Sequence, residues 1–194
     1  LVSSVMGASG AVWAVRREAY VPAEPDVILE DFVASLGLVQ RGWRLVFEGQ
    51  ALAHERTSSS LKGEWLRRTR MAAGGWQAFF RLPGMLRHPS RLIRFQYLSH
   101  RMLRWMVTPA LFVLALLANA AVVLLNAPLG YRLLLAGQVA GYVLALAGWV
   151  AASRGWRPGW LLAPFYVAML NAAALVGGWR YLTGRQSVLW RKGR

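Results

Sequence analysis

Glu30 and Asp31 stand side by side in the stretch ILEDF, two carboxylates flanked by Ile28, Leu29, Phe32 and Val33. The chain has 194 residues and only 8 acids against 23 Lys and Arg, so pairing two acids in apolar surroundings calls for a reason. One reason is local: acids favour the first turn of a helix, where the helix dipole stabilises negative charge. The other is chemical: a carboxylate that stays ionised can act as a general base on a hydroxyl within about 3 Å. A second group able to do chemistry is the arginine run in LRRTRMAAGGWQ. Arg67 and Arg70 carry planar guanidinium forks that match a diphosphate, and that would equally meet anionic lipid headgroups.

Other candidates are weaker. GASG at Gly7–Gly10 lacks the Lys-Ser/Thr of a phosphate loop and reads as a tight turn before a strand. His54, His88 and His100 have no metal-ligand spacing, so no metal ligand is assigned in this chain. Thr57–Ser60 is a polar linker with no His and acid placed to make a triad. His54 and Glu55 close the first segment, where they would line a site. The chain has no Cys, which excludes disulfides, thiol catalysis and zinc–thiolate centres.

The elements that must position these residues follow from charge and hydropathy. All eight acids lie in residues 1–64, and residues 65–194 carry none. A basic tail suits nucleic acid, but this one is too apolar for that, and no nucleic-acid partner is expected. Apolar residues make up 56% of the chain. Three uncharged runs, 105–131, 133–153 and 158–179, each reach the roughly 20 residues that cross a bilayer as a helix. They predict transmembrane helices at about 105–126, 131–152 and 159–180, with Trp and Tyr mostly near the ends. The bases between Arg67 and Arg104 put the preceding segment in the cytosol. Arg180, Arg185, Arg191, Lys192 and Arg194 after the third run belong there too. Pro164, Asn171 and Gly177–Gly178 are therefore expected to break the third run so that it does not cross fully. A basic tail occupies 183–194.

Residues 1–56 read as α/β: GAVWAV as a strand, LEDFVASLGLVQRG as a helix with Phe32, Leu36 and Val39 on one face, and WRLVF as a second strand. That segment is too small to bury its own core. The chain also begins with Leu, so a matching half is expected to precede it. Residues 57–104 read as amphipathic interfacial helices. On a helical wheel Leu61, Trp65, Ala72, Trp76 and Phe79 share one side, and Arg67, Arg70, Gly74, Gln77 and Arg81 share the other.

In this order, GASGAVWAVRREAY, LEDF, GWRLVFEGQALAHE, RRTRMAAGGWQ, LSHRMLRW and GRQSVLWRKGR resemble the C-terminal half of a membrane-embedded family 2 glycosyltransferase. That group includes the cellulose, hyaluronan and poly-N-acetylglucosamine synthases. The resemblance covers nearly the whole chain and implies a fold: the C-terminal part of a GT-A-type transferase domain, then interfacial and transmembrane helices. It implies a multi-pass enzyme of the cell membrane with its catalytic part in the cytosol. Such an enzyme moves a sugar from a nucleotide-sugar donor to a glycan acceptor, with inversion, and can be coupled to polysaccharide export. It further implies Asp31 as the catalytic base with Glu30 beside it, and Gly10, Arg67, Arg70 and Gln77 as substrate-binding residues. A divalent metal, Mg or Mn, would be held by an Asp-x-Asp outside these residues. The family's Gln-x-x-Arg-Trp signature falls on Arg67–Met71: Arg70 keeps the central arginine, while Arg67 replaces Gln and Met71 replaces Trp. Asn119 and Asn171 lie mid-span, where helix–helix hydrogen bonding is expected and a sugar-chain contact is the functional version. The alternative function is a non-enzymatic membrane protein whose basic helix binds anionic lipid or a partner protein.

Overall fold

In the computed structural model, which describes residues 4–8, 10–54, 60–126, 128–156 and 158–188, helix α1 (Glu30–Gln40) forms on the expected stretch. Phe32, Leu36 and Val39 all turn into the core, as their spacing predicts. The helix stops at Gly42, whose φ of 89° suits a residue without Cβ. There the Gly42 N–H donates to Val39 O at 3.0 Å and the Trp43 N–H to Leu38 O at 3.0 Å, the paired bonds of a Schellman motif.

The α/β expectation for residues 1–56 is not met. Every regular element among the described residues is helical, and neither GAVWAV nor WRLVF forms a strand. A strand needs a neighbour to satisfy its backbone. The segment around Leu45 bonds to the start of the chain instead: the Val5 N–H donates to Leu45 O at 3.1 Å, and the Leu45 N–H donates to Ser4 Oγ at 2.9 Å. Val12, Trp43, Val46 and Phe47 stay exposed and, of the alternating set Trp43, Leu45 and Phe47, only Leu45 packs against the core, so no half-buried sheet face forms among the described residues.

Helix α2 (Leu61–Arg81) starts at Ser60, whose Oγ accepts the Gly63 N–H at 3.1 Å. Its small residues Ala72, Ala73, Gly74 and Gly75 are buried, so neighbouring elements come close on more than one side. A Cβ on Gly74 would lie 2.3 Å from Leu29 Cγ. After a 3₁₀ turn at Pro83–Arg87 come α3 (Arg91–Leu124), α4 (Leu129–Ser153) and α5 (Gly159–Leu182), of 34, 25 and 24 residues. All three are long and apolar enough to cross a membrane, and they mark the chain as a membrane protein. In α3 and α4 only 11% of the most apolar window is buried inside the molecule, a surface suited to lipid rather than water.

Two features of these helices differ from expectation. Helix α3 begins well before residue 105 and passes through a π-helical stretch at Tyr97–Val107, which turns Arg101, Arg104 and Trp105 about its axis. Helix α5 is unbroken. Pro164 sits near its start, and Gly177–Gly178 do not interrupt it; they are the seat of α2. A Cβ on Gly177 would lie 2.4 Å from Thr69 O, and one on Gly178 would lie 2.7 Å from Trp76 Nε1. Phe80 of α2 stacks on Tyr181 of α5 with ring centroids 5.9 Å apart. Helix α2 is thus clamped between the start of α1 and the C-terminal half of α5. The main apolar cluster lies beside it, built from Met6, Phe32, Leu36, Val39, Met85 and Tyr97 among others.

Candidate functional site

The acid pair opens α1 directly. Leu29 is the N-cap residue and supplies no side-chain cap, so the first-turn N–H groups of α1 point at the region of Glu30 and Asp31. Glu30 is exposed and Asp31 half-buried. Neither makes a hydrogen bond or ion pair among the described residues. Neither acts as the N-cap, so the local reading of the pair is reduced to a dipole effect.

Helix α2 fixes the backbone just before the pair. Gln77, a buried amide, accepts the Ile28 N–H at 2.7 Å through Oε1 and donates to Asp26 O at 2.8 Å through Nε2. Arg70 donates to Ile28 O at 2.6 Å and to Val188 O at 2.7 Å. Burial draws the Arg70 guanidinium below its ordinary pKa, and the charge of Asp31 pushes it back up. Arg81 pairs with Glu24 and Asp26 at the end of the same segment.

The GASG loop closes the other side. The Ala8 N–H donates to Ser35 Oγ at 2.8 Å, one helical turn beyond Asp31. A Cβ on Gly10 would lie 3.0 Å from Asp31 Oδ2, so a glycine here lets the loop backbone lie close against the carboxylate. Gly10, Asp31, Arg70 and Gln77 therefore gather around one end of α1. Arg67 lies elsewhere on α2: its Nε donates to Glu64 Oε2 at 2.9 Å, and Arg68 Nε donates to Glu64 Oε1 at 2.6 Å. The Arg67 hydrogen bond, against the opposing effect of burial, holds the Glu64 carboxyl below its usual range.

Two contributors escaped the sequence reading. Ser35 anchors the loop, and its i+4 spacing from Asp31 was the available signal. Arg101 donates to Met6 O at 2.9 Å, and its guanidinium lies 5.3 Å from the Phe32 ring centroid. Phe32 in turn meets Trp105 edge-on at 5.4 Å. Nothing in the sequence pairs residues 6 and 101. In the spans, Asn119 Nδ2 donates to Gln138 Oε1 at 3.0 Å, a helix–helix bond between α3 and α4. Asn171 instead bonds Val167 O within its own helix at 2.8 Å.

Among the described residues no three His, Asp or Glu side chains converge, so these residues do not by themselves supply a metal site. Comparison of the chain with known protein families, curated proteins and solved structures finds no match. The chemistry must be argued from the site itself. A carboxylate at an uncapped helix start, behind a backbone held by Gln77 and Arg70, is a group that can take a proton from a hydroxyl.

Proposed function

We propose that this chain belongs to a membrane glycosyltransferase that moves a sugar from a nucleotide-sugar donor to a hydroxyl of a glycan acceptor. The observation that carries the reading is Asp31: half-buried, without a hydrogen bond or ion pair on its carboxylate among the described residues, and close against the Gly10 backbone with the charge of Arg70 nearby. The acceptor O–H attacks the anomeric carbon from the face opposite the leaving group, which inverts the configuration. The proton passes to an Asp31 carboxylate oxygen, the new C–O bond forms, and the bond to the nucleoside diphosphate breaks with its electron pair. Glu30 beside it adds negative charge at the same helix end. Gln77 acts on the base through Ile28, and Arg70 acts both through Ile28 and through its charge, so their role here is positioning. The proposal places this site on the cytosolic side of the cell membrane, where nucleotide sugars are made.

The alternative is a non-enzymatic membrane protein whose basic α2 binds anionic lipid or a partner protein, and most of that helix's arginines are not free for it. Arg67, Arg70 and Arg81 are each engaged inside the molecule. The test is Asp31→Asn in membranes from cells that make the protein, with sugar incorporation and thermal stability measured side by side. Loss of a general base lowers transfer by about 10²–10⁴-fold and leaves stability unchanged. Glu30→Gln is the milder change. Near-normal incorporation by Asp31→Asn would refute the assignment.

A further inference from the structure

Two cavities on the membrane side of the molecule share lining residues. One, of about 220 Å³, lies between α2, α3 and α5 and is walled by Arg68, Arg104, Trp105 and Thr108. The other, of about 550 Å³, runs between α3, α4 and α5 along Pro109, Phe112, Val113 and Leu175. Val167 and Asn171 line both, so the polar mouth and the apolar groove adjoin as the two parts of one candidate slot. We propose that this slot binds a phosphate-bearing membrane lipid, its headgroup between Arg68 and Arg104 and a hydrocarbon chain along the groove. The proposal does not depend on sugar transfer.

Charge names the headgroup. Arg104 is exposed and has no ion-pair partner among the described residues. Arg68 shares the single carboxylate of Glu64 with Arg67, two guanidiniums on one acid. Residues 65–194 supply no acid at all, so the anion that balances this mouth comes from outside those residues. A phosphate accepts several charge-assisted hydrogen bonds from two guanidiniums at once.

The groove names the tail. Arg104 lies just before the uncharged run that begins at residue 105, so the mouth sits where headgroups meet hydrocarbon and the slot runs inward from there. Gly137 and Gly141 of α4 are four residues apart on one face. Small residues so placed in a span normally seat a neighbouring helix. Here a Cβ on either would meet nothing within 4 Å, so the strip faces open groove rather than a packed partner. The cavity is of the size that takes elongated small molecules.

The test is native mass spectrometry of the full chain in detergent, with phosphatidic acid and diacylglycerol of identical chains as probes. The two differ only in the phosphate. Phosphatidic acid is expected to bind about tenfold to a hundredfold more tightly, the effect of charge-assisted hydrogen bonds. Arg104→Ala removes that preference. Gly141→Leu puts a side chain into the groove, starting from a Cβ that meets nothing within 4 Å, and weakens both lipids. Glycerol 3-phosphate, the headgroup alone, does not displace phosphatidic acid at equal concentration. Equal binding of the two lipids, an unchanged preference in Arg104→Ala, unaltered binding in Gly141→Leu, or displacement by glycerol 3-phosphate would each overturn the proposal.

Discussion

Gln77→Leu isolates the clamp that sets the acid pair. The wild-type amide makes two bonds to the segment before α1, at 2.7 Å to the Ile28 N–H and 2.8 Å to Asp26 O. Asp26 is exposed, so its carbonyl regains water when the amide is lost and contributes little to the cost. Ile28 is only 4% exposed, so its N–H is left buried and unsatisfied. That penalty is about 1–3 kcal/mol, while leucine refills most of the side-chain volume and adds no large cavity term. The segment 26–29 should open more often by the same free energy, roughly fivefold to a hundredfold faster exchange at one amide. Hydrogen exchange read by mass spectrometry on a peptide containing Ile28 measures this directly. Gln77→Glu is the internal control: it keeps an acceptor for the Ile28 N–H and should retain protection there, although it loses the donor to Asp26 O. Unchanged exchange at Ile28 in Gln77→Leu, or equal loss in both variants, would refute the clamp.

Gly177→Leu should separate α2 from α5, because the first added carbon already lies 2.4 Å from a backbone oxygen; overpacking of this kind costs about 1–3 kcal/mol and lowers Tm in detergent. Gly137→Ala, in open groove, should be neutral or stabilise by about 0.5–1 kcal/mol through helix propensity alone. Glu64 has a folded-state pKa below its ordinary 4.5, so its contribution to stability is present above that value and disappears as pH falls through the lowered one. Thermal unfolding followed from pH 6 to pH 3 should therefore show a loss of stability below about pH 4.5 that Glu64→Gln flattens.

Helices declared themselves in the sequence wherever one face had to be apolar over several turns. Phe32, Leu36 and Val39 marked α1, and the uncharged runs marked α4 and α5 nearly to their ends. The start of α3 was hidden because Arg91, Arg94, Arg101 and Arg104 look like a surface segment until Arg101 is seen to bond Met6 O. The two strands misled for a physical reason: alternation records which side chains a strand would bury, whereas a sheet depends on a neighbour that alternation does not record. The break foreseen at Gly177–Gly178 was a related error. Missing side chains were read as weakness in a helix, when their use is to let another backbone approach. Of the candidate site, Asp31, Gly10, Arg70 and Gln77 were named from the sequence, and the fold brings them to one end of α1. Arg67 pairs with Glu64 instead, because its place on α2 turns it toward the preceding turn. Ser35 and the slot beside Arg104 depend on contacts between distant segments, which no local pattern encodes.

The seat of α2 on α5 also sets an order in time. A chain made from its N-terminus has α1 and α2 in hand long before Gly177 and Gly178 exist. Yet the close contact with Thr69 O and the bond from Arg70 to Val188 O need residues from the far end of α5 and beyond. Until those residues emerge and the third apolar helix has found its place, Arg70 lacks the Val188 carbonyl and α2 lacks its seat on α5. The opening of α1 can therefore reach its final form only after the last membrane helix is in position. The acid pair is assembled last although it is synthesised first, so a chain stalled before that point would carry Asp31 without the frame that holds it.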